Sequence, residues 1–554
     1  MSYKQKIQSE IKKAIGNSIN NVLIERTKLT EHGDVATNIA MILAKEEKRN
    51  PIDIANEIKA KITTDDNLIS HIQVAKPGFL NFIVGDYALA ESLVEALHTT
   101  PLQPYGFVKP KSKEKILIEY VSANPTGDLH IGHGRQAVIG SCLVNLLQAA
   151  GNEAGSEFYI NDYGEQISNL SETAWAIYKK LQGENIEWKE DFYPEEILKP
   201  YVKKIVEACH GKPSEDLTKE ILTNQAKDLI LKSQKKLLSS FKVDFDKWFS
   251  ESELHKRGDV QEIINKLKEK KLVYEQEGAL WFKAKDFGDI RDRVLIRSDS
   301  RPTYLLADIA YHVDKFKRGY NYLITVWGAD HHGQEISLRA SLKALGFDDK
   351  KLEIIFVQLV SLKQGGQEVK MSKRTGAFVT VEEVLSEVGA DAFRYFLIES
   401  HANNRMVFDI DLAKKQDKDN PVYYIQYAHA RCCSIFRQAG AIPELTLQEQ
   451  SCTPDVFMNL FKANNKEYGV TKALILRILD FPEEVIQAVE TRSPNRIANY
   501  LKDLATDFHS FYTICRVITK DINLTKARLG LIQATKITIT NGLKILGVTA
   551  PEAM

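Results

Sequence analysis

One stretch, residues 115–150, confines this chain more than any other. Ile116-Leu-Ile-Glu-Tyr-Val121 is a short apolar run of strand type, followed by a loop rich in Pro and Gly and then a helical pattern over residues 134–150. The order recurs. Tyr322-Leu-Ile-Thr-Val-Trp327 leads into GADHHG and a helix over residues 334–345, and Ile354-Ile-Phe-Val-Gln-Leu359 comes next. Apolar β-type runs alternating with helices imply a parallel sheet covered on both faces. Ligands of such sheets sit beyond the carboxyl ends of the strands, so the chemistry is expected in the loops after Val121, Trp327 and Leu362.

The rest of the 554 residues, enough for about three to four domains, is arranged around that unit. Residues 1–85 read as a small α+β domain, with helices expected over 3–26, 34–48 and 52–62 and a strand at Phe79-Leu-Asn-Phe-Ile-Val84. Residues 86–114 form a linker punctuated by Pro101, Pro104, Gly106 and Pro110. The sheet occupies residues 115–414, interrupted by a charged, mostly helical insertion at about 167–272, and residues 415–554 are helical to the end. Lys plus Arg equals Asp plus Glu, 74 each, so no global charge points to nucleic acid or membrane. The positive excess is local: from Phe511 onward six Lys/Arg face two Asp/Glu. No apolar run approaches the ~18–20 residues of a membrane span, and the first residues are too polar for a secretory segment. The six Cys form no CxxC pair and suit a reducing compartment, so a cytoplasmic location is expected.

Two motifs carry chemistry. SANPTGDLHIGHG, Ser122 to Gly134, lies between the strand and the helix, where free backbone N–H groups and the helix dipole favour anions. His130 and His133 fall on one face of the first turn and can donate to phosphate oxygens as charge develops. Gly132 between them leaves room for a flat base against the backbone, and Pro125 and Gly127 shape the entry turn. The second motif is LKQGGQEVKMSKRTG. A Gly-Gly turn leads into Lys370-Met371-Ser372-Lys373-Arg374, cations suited to clamping a triphosphate, with Lys373 best placed to neutralise departing pyrophosphate. Neither GxxxxGK[ST] nor GxGxxG is present.

LHIGH and KMSKR together resemble the paired signature of class I aminoacyl-tRNA synthetases; only Arg374 departs from the consensus of the second. There is little room in this length for the large editing insertions that discrimination by one methylene requires. A guanidinium, with five N–H donors and a fixed charge, asks instead for carboxylates and a hydroxyl. RPTYLLADIAYH supplies Tyr304 and Asp308 on one helical face, and DKWFSESE supplies Glu251.

The likeness then narrows. GDVATNIAM, SANPTGDLHIGHGRQAVIG, YLLADIAYH, VWGADHHG, KMSKRTG and NPVYYIQYAHAR sit in the order of the bacterial-type arginyl-tRNA synthetases, which the chain resembles nearly end to end. The resemblance implies an α/β fold: a Rossmann-like parallel-sheet catalytic domain, an N-terminal domain that touches the tRNA elbow, and an all-α C-terminal bundle that binds the anticodon. It implies ATP, with Mg²⁺, at Gly127, His130, Gly132, His133, Lys370, Met371, Ser372 and Lys373. Arginine would lie at Ser122, Asn124, His133, Glu251, Tyr304 and Asp308, with Asp330 or His331 lining the floor. Tyr423, Tyr427, Ala428 and Arg431 are the candidates for tRNA, as aromatics followed by a cation suit splayed bases. No metal ligated by the protein itself is expected, the partners being tRNA, arginine and ATP, and the oligomeric state a monomer. Members of the family need tRNA even for the first step. Two rivals remain beside this reading: an HxGH-type nucleotidyltransferase that does not act on tRNA, and a metal-dependent hydrolase built on His130, His133, His331 and His332.

Overall fold

The computed structural model describes residues 2–16, 22–27, 32–65, 67–98, 100, 103–107, 114–208, 217–369, 379–441, 452–462 and 464–554. At the N-terminus, Ser2 caps a helix Tyr3–Ile15, which Gly16 closes at φ 74° by donating to the Lys12 and Lys13 carbonyls. The helix expected over 3–26 is therefore shorter, and Glu25–Arg26 is instead a strand paired with Ala36 and Val35. That pairing also removes Val35–Thr37 from the helix expected over 34–48, which begins at Ile39. Val35 and Thr37 are β-branched and both buried on one face, a period of two that overrides the local helical pattern. With Phe79–Val84 and Ile69–Ala75 these strands complete a four-stranded antiparallel sheet.

The large sheet contains β1 (Lys115–Glu119), β2 (Glu153–Ile160), β3 (Lys247–Ser250), β4 (Tyr322–Gly328) and β5 (Leu352–Val357), all parallel, in the order β5-β4-β1-β2-β3. The winding reverses between β1 and β4, and the carboxyl ends of those two strands frame a crevice. Helix α1 (Ile131–Ala149) returns the chain from β1 to β2. It lies so close to the start of the signature loop that a Cβ on Gly140 would come within 2.1 Å of the Tyr120 ring. Gly140→Val is accordingly expected to destabilise the protein by about 1–3 kcal/mol through overpacking, read as a lower denaturant midpoint. An unchanged midpoint would mean that Tyr120 moves aside freely.

Between β2 and β3 run α2 (Glu165–Leu181), α3 (Glu195–Ala208) and α4 (Lys219–Ser240), which share a small core of their own around Leu170, Ile177, Leu198, Val202, Leu222 and Ile230. The helical excursion ends earlier than the 272 expected, since the chain rejoins the sheet at β3. That edge strand has four residues, KWFS, too few for a visible period. After α5 (Glu251–Arg257) and a helix Asp259–Glu269 comes a three-stranded antiparallel sheet, Val273–Gln276, Ala279–Phe282 and Arg293–Ile296. Then follow α6 (Tyr304–Lys317), β4, α7 (His332–Leu345) and β5. The strand expected over 354–359 begins and ends two residues earlier, as β5, and a separate strand, Val360–Gln364, joins Gln367–Val369 and Met406–Asp409 in another sheet. Gly365 and Gly366, at φ 60° and 78°, make the hairpin turn between the first two, a backbone that L side chains rarely adopt.

Helices α8 (Pro421–Ala439), α9 (Asn465–Glu490), α10 (Asn495–Ile514) and α11 (Ile522–Leu546) form the C-terminal bundle. Ion pairs Lys4–Asp480 (2.7 Å) and Lys472–Asp34 (2.8 Å) bind it to the N-terminal domain. Among the described residues, no helix is long and apolar enough to cross a membrane.

Candidate active site

The signature loop leaves β1 through two residues in the left-handed region, Val121 at φ 70° and Ser122 at φ 45°. Strain of this kind, ~1–3 kcal/mol per residue, persists only where neighbours over-determine it. Here the Ser122 hydroxyl donates to Glu119 (2.9 Å) and accepts from the Tyr159 N–H (3.3 Å), which locks the turn. At the far end His130 is the N-cap of α1. Its Nδ1 accepts from the Gly132 N–H (3.1 Å), which puts the proton on Nε2. His133 stacks on it, ring centroids 3.7 Å apart. Burial, then the neighbouring His130, holds His133 down to about 3; burial also lowers His130. Both imidazoles are neutral at physiological pH and offer N–H donors instead of charge. His133 Nδ1 is buried with no hydrogen-bond partner among the described residues. The space at Gly132 belongs first to His130: a Cβ there would sit 2.9 Å from that ring, so glycine is needed for the cap itself. A Cβ at Gly127 would meet Ile197 of α3 at 2.8 Å.

Lys370, Met371, Ser372 and Lys373 lie outside the described residues. The chain that follows them is pinned to the first signature, with the Ile131 N–H on the Val379 carbonyl (3.2 Å) and the Val381 N–H on the Leu129 carbonyl (2.7 Å).

Acidic side chains cluster near the start of the signature loop, where Glu119 binds Ser122 and acts on Asp308. Asp308, on α6 one turn beyond Tyr304, is only partly open to solvent and is pushed up to about 8 by burial, then by Glu119 and Glu251. Glu251, first residue of α5 and buried, is pushed up to about 7 by burial, with Asp162 adding and Tyr159 opposing. Among the described residues the charge that opposes them is Lys315, which donates to Glu119 at 2.6 Å and acts electrostatically on Asp308. His255, 3.7 Å from Glu251, is kept neutral by burial. The Asp308 carboxylate makes no hydrogen bond among the described residues. Two carboxyls thus lie close enough to act on each other with, among the described residues, no hydrogen-bonded cation of their own, an arrangement that suits a cationic ligand. Tyr304, one turn before Asp308, is half exposed.

Asp330 and His331 follow β4 on the other side of the crevice. Both are exposed, 3.5 Å apart, and Asp330 acts electrostatically on His130. Asp330 thus lies toward the first signature motif, and neither residue contacts Asp308 or Glu251 among the described residues. Asn124 stays in the loop, its carbonyl held by Gln234 (3.1 Å). The histidines that a metal site would require are engaged separately, His130 on His133 and His332 stacked on Phe356 at 3.6 Å.

On α8, Tyr423 and Tyr427 lie parallel, centroids 6.5 Å apart, and the Arg431 guanidinium covers Tyr427 and Tyr512 at 5.2 and 5.3 Å. These rings are partly exposed. The structure corrects the expectation for Ala428: it is fully buried against the neighbouring elements, since one step beyond Tyr427 turns about 100° around the helix and off the exposed face, and its side chain is not available to tRNA. Glu119, Tyr159, Lys315, Gln234 and Tyr512 were absent from the sequence reading. Only Lys315 left a trace, as the i+7 partner of Asp308 on one helical face.

The family model described as "tRNA synthetases class I (R), catalytic domain" matches residues 102–428. With the doubly wound sheet and the HxGH cradle at its switch point, this defines a class I aminoacyl-tRNA synthetase. Models described as "Arginyl tRNA synthetase N terminal domain" and "DALR anticodon binding domain" match residues 1–84 and 425–554. The arginine–tRNA ligase of Staphylococcus aureus strain bovine RF122 / ET3-1 is 42% identical over 99% of this chain and 98% of its own length, and that of Heliobacterium modesticaldum is 41% identical over 96% and 93%. The arginyl-tRNA synthetase structure of Thermus thermophilus superposes with a TM-score of 0.74 at 25% identity, covering 99% of this chain and all of that one. The chain belongs to the arginine–tRNA ligase family, and its reaction is the ATP-dependent charging of tRNA with arginine.

Proposed function

We propose that the Asp308–Glu251 pair selects the guanidinium, while His130 and His133 receive the triphosphate of ATP. The observations that carry this reading are two carboxyls raised by burial, with no hydrogen-bonded cation of their own among the described residues, and two neutral imidazoles on the signature motif. Arginine binds with its side chain against Asp308, Glu251 and Tyr304 and its α-amino and carboxylate groups toward Asn124 and the Ser122 turn. Its carboxylate attacks the α-phosphorus of ATP, which enters as its Mg²⁺ complex. Nε2–H of His130 and the ring of His133 donate to oxygens that gain charge in the transition state, and Lys370 and Lys373 neutralise departing pyrophosphate. The terminal ribose hydroxyl of tRNA then attacks the adenylate carbonyl and releases AMP. Positioning and electrostatics supply the acceleration, with no covalent enzyme intermediate.

In this reading residues 1–85 meet the tRNA elbow, residues 115–414 perform both steps, and residues 415–554 hold the anticodon, with Tyr423, Tyr427 and Arg431 stacking on unpaired bases. The enzyme works as a cytoplasmic monomer. ATP–pyrophosphate exchange with arginine should be absent without tRNA and appear when it is added; exchange that runs freely on arginine alone would contradict this dependence.

The raised carboxyls also set a pH dependence. A cation binds their ionised forms, and protons compete for them below about 8. The arginine KM should therefore rise as pH falls from 8 to 6, by up to about tenfold per unit for each group, with the ATP KM nearly flat. An arginine KM that does not move over this range would show that the pair is not in the site.

A further inference from the structure

We infer that Gln234 is a positioning residue for adenylate formation, transmitting the placement of the helical excursion to the loop that presents Asn124 and leads to His130. Helix α4 is one continuous rod that belongs to two cores. Ile230 lies in the small core shared with α2 and α3, whereas Leu238 lies in the main core of the catalytic domain. Gln234 stands between them on the same face, four residues from each. It is 2% exposed, and its amide donates to both the Asn124 carbonyl (3.1 Å) and the Gly127 carbonyl (2.9 Å). These two carbonyls bracket the Pro-Thr turn of the signature, so one planar amide sets the shape of the loop.

A second tie comes from α3. The Tyr201 hydroxyl donates to the Asp128 carboxylate at 3.0 Å, two residues before His130, and Ile197 fills the space over Gly127. Two of the three helices of the excursion, α3 and α4, therefore grip the loop, while the Glu119–Ser122–Tyr159 bonds hold its other end. Gln234 Oε1 is buried and has no partner among the described residues. A side chain needed only to fill the junction of two cores would be apolar and would avoid that cost. The donors are what the site retains it for.

This rests on the assignment of Asn124 to the substrate's backbone groups, and the test separates the two. Gln234→Met keeps the volume and removes the donors. Exchange measured at saturating tRNA should lose about 10- to 100-fold in kcat, with the ATP KM and the tRNA affinity near parental values and the melting temperature little changed. Tyr201→Phe, which removes one partly exposed hydroxyl, should give a smaller loss of the same kind. The double variant should fall short of the product of the two losses, since both act on one loop. Parental kcat in Gln234→Met, or multiplicative losses in the double variant, would overturn the inference. Asn124→Ala measured alongside distinguishes the failures: if it too is parental, the substrate assignment is what fails.

Discussion

Asp308→Asn should raise the arginine KM about 100-fold or more while leaving the ATP KM nearly unchanged, and it should also raise the melting temperature of the unliganded enzyme. The first effect follows from removing one partner of a dry, charge-assisted contact, a loss of about 2–5 kcal/mol in comparable interfaces. The second follows from linkage. The carboxyl titrates near 8 in the folded protein against about 4 in an unfolded chain, so the native state holds a proton that the unfolded state has shed. A carboxyl raised in this way weakens the fold increasingly as pH climbs from about 4 to 8, and an amide abolishes the penalty. Stability gained together with specificity lost is the signature of a group kept for its ligand. If both Michaelis constants stay put, Asp308 does not read the guanidinium. If the melting temperature falls instead, the site is not strained by its own charge.

His133→Asn should lower kcat about 100- to 1000-fold, with the arginine KM and tRNA affinity close to parental. The ring is buried and stacked on His130 in the first turn of α1, so in this reading it contributes an N–H placed in advance for phosphate charge. Because burial keeps this imidazole at about 3, the rate should show no acid limb from its protonation between pH 5 and 8. A limb near 6 that disappears in the variant would mean that a charged His133 performs the step.

The parts legible in the sequence were those written in local spacing. LHIGH between a strand and a helix announced the cradle, and Tyr304 with Asp308 four residues on announced one wall of the pocket. Glu119 was not legible. It is the last residue of an apolar strand, and its meaning comes from Lys315, which sits nearly two hundred positions away and meets it only when α6 packs on the sheet. Gln234 was hidden for a similar reason, as a polar residue in a charged helix looks like surface until the rod is seen to pass between two cores. In the fold, β3 went unseen because four residues carry no period, and Val35–Thr37 because cross-strand pairing outweighed a helical pattern that continued past it. Ala428 shows the converse error, a residue taken with its neighbours although helical geometry turns it inward.

In the proposed reaction arginine enters a site whose carboxyls hold protons until a cation displaces them. The most direct measurement is the proton balance of arginine binding at pH 7, in the presence of tRNA, by calorimetry in buffers of different ionisation enthalpy. With the pair near 8 and 7, binding should release between one and two protons, about 1.4 if both carboxyls ionise fully. Binding with no net release, or with uptake, would contradict it.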